Sequence, residues 1–526
     1  MLSISSSASP HNYSGTSSTW SLLSCTLVFI CGMFFNNQPR ADELPNLGDG
    51  SSAISLSEER QLGEIWLQKL RGGMPQVQDW YVQQYVRDLA FVLLPNSGLS
   101  YNSNVAGGFT EGRLNATDIK VIVVDSAALN AFAVPGGIVG VNAGLFLYAQ
   151  SEEEFASVLA HELSHLSQRH FARRQENSRA NAALSIASLV ASIIVAATAG
   201  GQAGMAALAG SQAYSMNRVL AYSRDAEREA DRFGLQTMIA SGMDAHSMVY
   251  MFKRMSEASR FSNQVPEYLR THPLTENRLS DMAAYAANAP RGVYKEQADY
   301  YFAQARARTV LANDYRAAFK LFEQNLKGSD GLQAEGYRYG TVFAAIKTSD
   351  SALIKAQAPA LEQLKKRYGF SVAVALLEAE MYAALDDKDK AVDILTSKIS
   401  LAPGNYPLLR TLSDIEYERR NYKAALEPLE QLSTRYPDEP SIWYDLAELY
   451  GLVGNIQSVH MARAEYFMLN GRLRNAESQL QRALEKSSEY REKSVIQNKI
   501  NEVEAMARLH SKILGRPADL AGRDES

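Results

Sequence analysis

In the stretch VLAHELSHL (158–166), His161 and His165 stand four residues apart and Glu162 follows the first directly. On a helix, residues four apart share one face, one turn above the other, so the two imidazoles can converge on one metal ion. Glu162 lies about 100° round the same helix. It is off the ligand face and placed instead to reach a metal-bound water. This is the arrangement of a zinc peptidase, in which the ion lowers the pKa of the water and the carboxylate takes its proton. An ordinary amphipathic helix that carries two histidines is the competing reading, and a third ligand decides between them.

One zinc pattern places a third histidine ten residues after the first and a glycine three after the second. Phe171 and Gln168 occupy those positions, so that pattern fails. His170 is nearby but out of phase with the pair and reads as a surface residue. The remaining source is AEREAD (226–231), where Glu227 and Asp231 share a helix face. Glu229 lies roughly 200° from Glu227 and should face solvent or another layer. Glu227 is the expected ligand. Asp231 is expected to support catalysis by holding a ligand imidazole in the right tautomer.

These side chains need elements to hold them. DIKVIVVDS (118–126) is apolar and β-branched, as a strand requires. Asn130–Phe146 follows, with a turn at Pro135-Gly136-Gly137 and a second strand suggested by Ile138, Val139 and Val141. Ser151 and three glutamates then open the helix that carries the two histidines. A second helix is expected from Arg224 to Ala240, stopping at Gly242. Between the two helices, Ala180 to Asn217 contains no Asp, Glu, Lys or Arg. A buried helix followed by a lid is the plainest reading of it; membrane-surface contact through 182–209 is the alternative.

The chain has 526 residues, 46% hydrophobic and 21% charged, ordinary for a protein with large cores. A net charge of −5 and the lack of a long Lys/Arg run argue against a nucleic-acid partner. Cys25 and Cys31 are the only cysteines. Both lie in the apolar run Trp20–Phe35, so any downstream metal site must use His, Asp and Glu. Residues 1–41 read as an export signal, with cleavage near Ala41. An uncleaved anchor and lipidation at Cys25 are the other readings. A polar lead (42–57) precedes a peptidase-like block (58–290).

From 293 to 495 the chain shows an internal period. Pro403 and Pro437 are 34 apart (437 − 403), as are Ala391 and Ala425, and as are Ala379, Ser413 and Ala447 in turn. This is the spacing of tetratricopeptide repeats, in which small residues let paired helices approach closely. ANDYRAAFKLFEQNL (312–326) and GRLRNAESQLQRALEKS (471–487) fit flanking units, four to six in all. Such arrays offer concave surfaces for peptides or partner proteins. Residues 496–526 read as a tail.

HELSH, followed some sixty residues on by EREADRFG, resembles the M48 family of zinc metallopeptidases; NAFAVPGG (130–137) is similar to that family's edge strand beside the catalytic helix. The resemblance implies an α+β fold, a mostly helical zincin-like domain with a small sheet, followed here by the all-α repeat solenoid. It implies one Zn²⁺ held by His161, His165 and Glu227, with Glu162 as general base. It implies that substrate backbone lies as an added strand along Asn130, Ala131, Phe132 and Ala133, up to Pro135. It also implies that His272, in THPLTENRL (271–279), is a fourth ligand that closes the site. With an export signal before the peptidase and the array after it, the resemblance points to a periplasmic endopeptidase with chaperone-like activity. Its expected partners are unfolded or misassembled outer-membrane β-barrel proteins, with the array docking the barrel-assembly machinery. The alternative is a scaffold whose peptidase site is largely latent. Arg278 is either an oxyanion donor or a capping and ion-pairing residue, the latter favoured. His246, His460 and His510 are read as structural or exposed.

Overall fold

The computed structural model describes residues 55–99, 118–176, 223–261 and 265–514. The leader (1–41) and the uncharged segment (180–217) lie outside the described residues. Among the described residues, no helix is long and apolar enough to cross a membrane.

The peptidase block opens with helix α1 (Leu56–Gly73). Ser55, expected in the polar lead, is its N-cap and closes a capping box with Glu58, so order begins slightly before the expected boundary. Helix α2 (Trp80–Leu93) follows, capped by Asp79. Three strands, β1 (Lys120–Val124), β2 (Ala131–Val134) and β3 (Ile138–Asn142), form a sheet ordered β1-β3-β2. β1 runs parallel to β3, and β2 runs antiparallel to it, with Ala131 opposite Val141 and Val134 opposite Ile138. The expected first strand is thus shorter than drawn, and the Pro135–Gly137 turn joins β2 to β3. Gly136 takes a left-handed backbone, φ 82°. A Cβ added there would lie 2.5 Å from the Cα of Gly63 on α1, so the hairpin and α1 meet backbone to backbone.

A one-turn helix, α3 (Leu145–Tyr148), leads to α4 (Glu152–Ser167), capped by Ser151, which accepts from the Glu154 N–H. The three acidic residues in its first turn complement the helix dipole. Helix α4 is buried along nearly its whole length, so helix–dipole and cap effects only trim an element that packing fixes. A short helix, α5 (His170–Glu176), follows, then α6 (Arg224–Ala240), α7 (His246–Phe261), α8 (Glu267–Thr271) and α9 (Glu276–Ala287). α6 has the expected bounds: Ser223 caps it and Gly242 turns the chain with φ 79°.

From Ala298 to Leu514 the chain is a succession of antiparallel helices, as a repeat solenoid requires. Val372, Tyr406 and Pro440 start equivalent helices 34 residues apart (406 − 372; 440 − 406), and Lys388, Tyr422 and Ile456 start their partners at the same interval. The turn inside each pair repeats too: Asp386, Arg420 and Gly454 all have positive φ. Ala379, Ala391, Ser413, Ala425 and Ala447 are buried, and the Ser413 hydroxyl donates to the Ala425 carbonyl at 2.8 Å, closing one helix pair. The last helix, Tyr490–Leu514, runs well past 495, because Ile496, Ile500 and Val503 recur at helical spacing and are buried. The tail expected from 496 is therefore largely part of the array.

The two blocks share a core. One apolar cluster extends without interruption from Val77 through Phe155 to Leu408 and Ile415. Arg306 of the first array helix is buried between Asp79 (2.8 Å) and Glu380 (2.6 Å), with its guanidinium over the Phe343 ring. Trp80 donates to Asp414 at 2.9 Å, and Arg87 pairs with Glu439 at 2.5 Å. Buried charge pairs of this kind add little net stability but are costly to break singly, so they fix the orientation of array on peptidase.

Candidate metal centre

His161 and His165 project from one face of α4, their Nε2 atoms 3.1 Å apart. α6 crosses beside them and brings Glu227 to 3.5 Å from His161 Nε2 and 3.6 Å from His165 Nε2. His272, at the C-terminal cap of α8, approaches from the third side, with its Nδ1 3.0 Å from Glu227 Oε1. One ligand atom from each of these four residues lies within 4.8 Å of every other, and all four residues are buried. Three imidazoles and one carboxylate, without thiolate, form a donor set suited to a borderline divalent cation.

Why α6 can come so close is visible at Gly234. It lies seven residues after Glu227 and so on the same face of the helix. A Cβ at Gly234 would be 2.9 Å from Met248 Cε and 3.3 Å from the His161 backbone nitrogen. A bulky side chain would hold α4 and α6 apart. Sequence reading overlooked this glycine; its place in phase with Glu227 and Asp231 was the available signal.

Asp231 lies 3.1 Å from His161 Nδ1, on the side of the ring away from His165 and Glu227. Arg278 of α9 grips Asp231 with two hydrogen bonds of 2.7 Å, sits 2.8 Å from Glu227 and donates to the Pro273 carbonyl at 2.9 Å. Arg278 is therefore an ion-pairing residue that fastens the His272-bearing segment to α6, rather than an oxyanion donor turned toward open space. Its backbone N–H also bonds the Thr275 cap. Tyr268 stacks on the His272 ring at 4.6 Å, and its N–H donates to the Leu129 carbonyl just ahead of β2.

Electrostatics follow from this crowding. Burial disfavours charge on His161, but the Asp231 and Glu227 carboxylates outweigh it and raise the imidazole pKa to about 9. Burial moves His165 the other way, well below the usual histidine range. Glu227 is held well below the usual carboxylate range: burial opposes its charge, but the surrounding histidines prevail. Burial likewise opposes charge on Asp231, and Arg278 and His161 overcome it. Glu162 is fully buried, and among the described residues neither of its carboxylate oxygens has a hydrogen-bond partner; His272 Nε2 lies 3.5 Å from Oε1. A carboxylate so placed suits a polar partner that arrives with metal or substrate.

The surface reading of His170 is wrong. α4 ends at Ser167 with Gln168 as its cap, and Arg169 takes a left-handed backbone, φ 50°, so helical phase is lost. The turn folds His170 back under His165, where it is buried, its Nδ1 2.8 Å from His165 Nδ1. Glu229 faces this layer, 3.2 Å from His170 Nε2 and bonded by Arg173. Of the other histidines, His246 bonds Asp244 at 2.9 Å, His460 bonds Gln479 at 2.8 Å, and His510 is buried within electrostatic reach of Lys69. β2 has a strand neighbour on one side only among the described strands, and α4 packs across its face. Phe132 lays its ring over Gly140 of β3.

A helix bearing two histidines and a glutamate, completed by a carboxylate from a second helix, defines a metallopeptidase. Residues 104–286 match the model of peptidase family M48. The β-barrel assembly-enhancing protease of Yersinia pestis is 30% identical over 414 residues, 78% of this chain and 74% of the relative. That of Escherichia coli O157:H7 is 30% identical over 455 residues, 84% and 87% respectively. The mitochondrial metalloendopeptidase OMA1 of Schizosaccharomyces pombe is 28% identical over 179 residues, 34% of this chain and 49% of the relative. The chain belongs to the M48 peptidase family and is a metalloendopeptidase.

Proposed function

We propose that this chain is a zinc endopeptidase of the bacterial periplasm that acts on outer-membrane β-barrel proteins, degrading misassembled ones and aiding assembly of others. The convergence of His161, His165, Glu227 and His272 within 4.8 Å carries the reading. The three residues from α4 and α6 would hold Zn²⁺, which would supply Lewis acidity toward a peptide carbonyl and a nearby water. Glu162 would take the proton from that water and return it to the leaving amine. Asp231 would keep His161 in its ligand tautomer, and Arg278 would balance the buried carboxylates. Substrate would enter extended, pairing with β2 along Asn130, Ala131, Phe132 and Ala133, a mode open to any client with an unpaired strand. The names of the relatives and the export-like leader support the location and the clients.

His272 would make the resting enzyme latent, since a fourth protein ligand leaves no open position. The hold on it is substantial: the Tyr268 stack and the Arg278–Pro273 bond both keep its segment in place. The array would dock clients or the barrel-assembly machinery. Between array and peptidase lies a cavity of about 460 Å³, lined in part by Arg71, Trp80, Arg410, Asp414, Tyr444 and Tyr466. Its mixed aromatic and charged lining suits a peptide segment.

The buried, pinned His272 also favours a second reading, a scaffold whose peptidase site is seldom open. Metal content and casein cleavage of wild type, Glu162→Gln and His272→Ala separate the two. The enzyme reading expects metal in all three, no cleavage by Glu162→Gln, and faster cleavage by His272→Ala. No cleavage by any of them, with barrel assembly intact in Glu162→Gln, leaves the scaffold.

A further inference from the structure

The site's outer layer contains a chain of four polar groups that the ligand set does not explain. His165 directs Nε2 at the other ligands, so its remaining nitrogen, Nδ1, faces the opposite way and meets His170 Nδ1 at 2.8 Å. The other nitrogen of His170 meets Glu229 Oε2 at 3.2 Å. Arg173 Nη1 donates to both Glu229 oxygens, at 3.0 and 2.9 Å. Both histidines are buried, and their rings meet edge to face with centroids 4.9 Å apart.

The direction of every hydrogen bond in this chain follows from its far end. Arg173 can only donate, so Glu229 accepts from it and, being a carboxylate, accepts again from His170 Nε2–H. A neutral imidazole with its hydrogen on Nε2 has a bare Nδ1. That Nδ1 accepts from His165 Nδ1–H, and His165 is left with a lone pair on Nε2, the atom aimed at the metal centre. The opposite tautomer would set an Nε2–H of His165 against His161 Nε2, 3.1 Å away, and leave no lone pair for a cation.

We propose that His170 is a positioning residue that, through Glu229 and Arg173, holds His165 as the Nδ1–H tautomer and so prepares it as a ligand. The proposal rests on the metal-centre reading above. A carboxylate or carbonyl usually fills this place behind a ligand histidine. Here a second histidine carries the polarity one layer further, from a motif extended to His-Glu-x-x-His-x₄-His. Removing such a partner costs on the order of 10- to 100-fold in metal affinity.

The test measures Zn²⁺ retention against a graded chelator for wild type, His170→Leu, His170→Asn and, as a control, His165→Ala. The proposal expects weaker retention in His170→Leu by that factor and recovery of most of it in His170→Asn, whose side-chain oxygen still accepts from Nδ1–H. Wild-type retention in His170→Leu overturns it, as does equal weakening in Leu and Asn, which would mean that His170 only fills space. The ¹⁵N ring shifts of His165 in the metal-free wild type give a readout that needs no variant. A protonated Nδ1 with a bare Nε2 supports the proposal, and an Nε2–H overturns it. If wild type and His165→Ala retain Zn²⁺ equally poorly, the metal-centre reading fails, while the ring shifts still decide the role of His170.

Discussion

Gly234 on α6 lies against the backbone of His161 on α4, so close that a Cβ would stand 3.3 Å from the His161 nitrogen. The absence of a side chain there sets how near Glu227 comes to the two histidines. Gly234→Val should push the helices apart and cost about 1–3 kcal/mol through overpacking. Metal retention should fall with it, whereas Gly234→Ala, needing only a small shift of Met248, should keep much of both. Thermal melts and metal-to-protein ratios check this; full metal content in Gly234→Val would mean that the crossing is not limiting.

Metal binding at the proposed centre would have to expel a proton from His161. In the metal-free chain its pKa is raised to about 9, against an ordinary value of 6.5. Its pairing with Asp231 and Glu227 therefore stabilises the metal-free fold fully below pH 6.5 and is lost as pH rises through 9. Metal uptake near pH 8 should release close to one proton from this imidazole, and affinity should drop as pH falls further below 9. Calorimetric titration in two buffers of different ionisation enthalpy measures the release. Identical heats in both buffers would contradict it.

Arg278 is the counter-charge of two buried carboxylates. Arg278→Met should destabilise the metal-free protein by about 3–5 kcal/mol, because the carboxylates lose their partner without leaving the interior. Arg278→Lys should lose less but cannot replace the forked grip on Asp231. Denaturant unfolding with chelator present gives the values, and an unchanged midpoint in Arg278→Met would show that the pair is not what holds α9 to α6.

His510 is buried on the last array helix, within electrostatic reach of Lys69 on α1. Burial, with Lys69 adding to it, lowers its pKa from 6.5 to about 4. A histidine kept neutral by the fold stabilises fully above pH 6.5, and that contribution is lost as pH falls from 6.5 through 4. Protection factors across Tyr490–Leu514, taken relative to the intrinsic exchange rate at each pH, should fall between pH 7 and pH 5 in wild type more than in His510→Leu. An equal fall would assign the acid sensitivity elsewhere.

The parts of the site that sequence made legible are those set by local helical phase. The four-residue spacing of His161 and His165 and of Glu227 and Asp231 places each pair on one face, and α6 runs over the expected Arg224–Ala240 with Gly242 turning the chain after it. The 34-residue period likewise survives in helix starts and turns. What failed was phase across a break. A continuing helix puts His170 out of phase with the pair, but the left-handed backbone of Arg169 resets the count. Nothing local marks that break, since no glycine occupies it. Arg278 and Trp80 find their partners 47 and 334 residues away, pairings that no spacing rule reaches. His272 follows from family resemblance alone; its position beside Glu227 depends on the packing of α9 against α6.

The most direct measurement is metal stoichiometry of purified wild type beside Glu227→Gln, by elemental analysis after chelator challenge. Close to one Zn²⁺ per wild-type chain, lost from Glu227→Gln while the melt shows a folded protein, is the expected result. A wild type without stoichiometric metal, or a Glu227→Gln chain that keeps it equally well, would contradict the assignment of α4 and α6 as the walls of a metal centre.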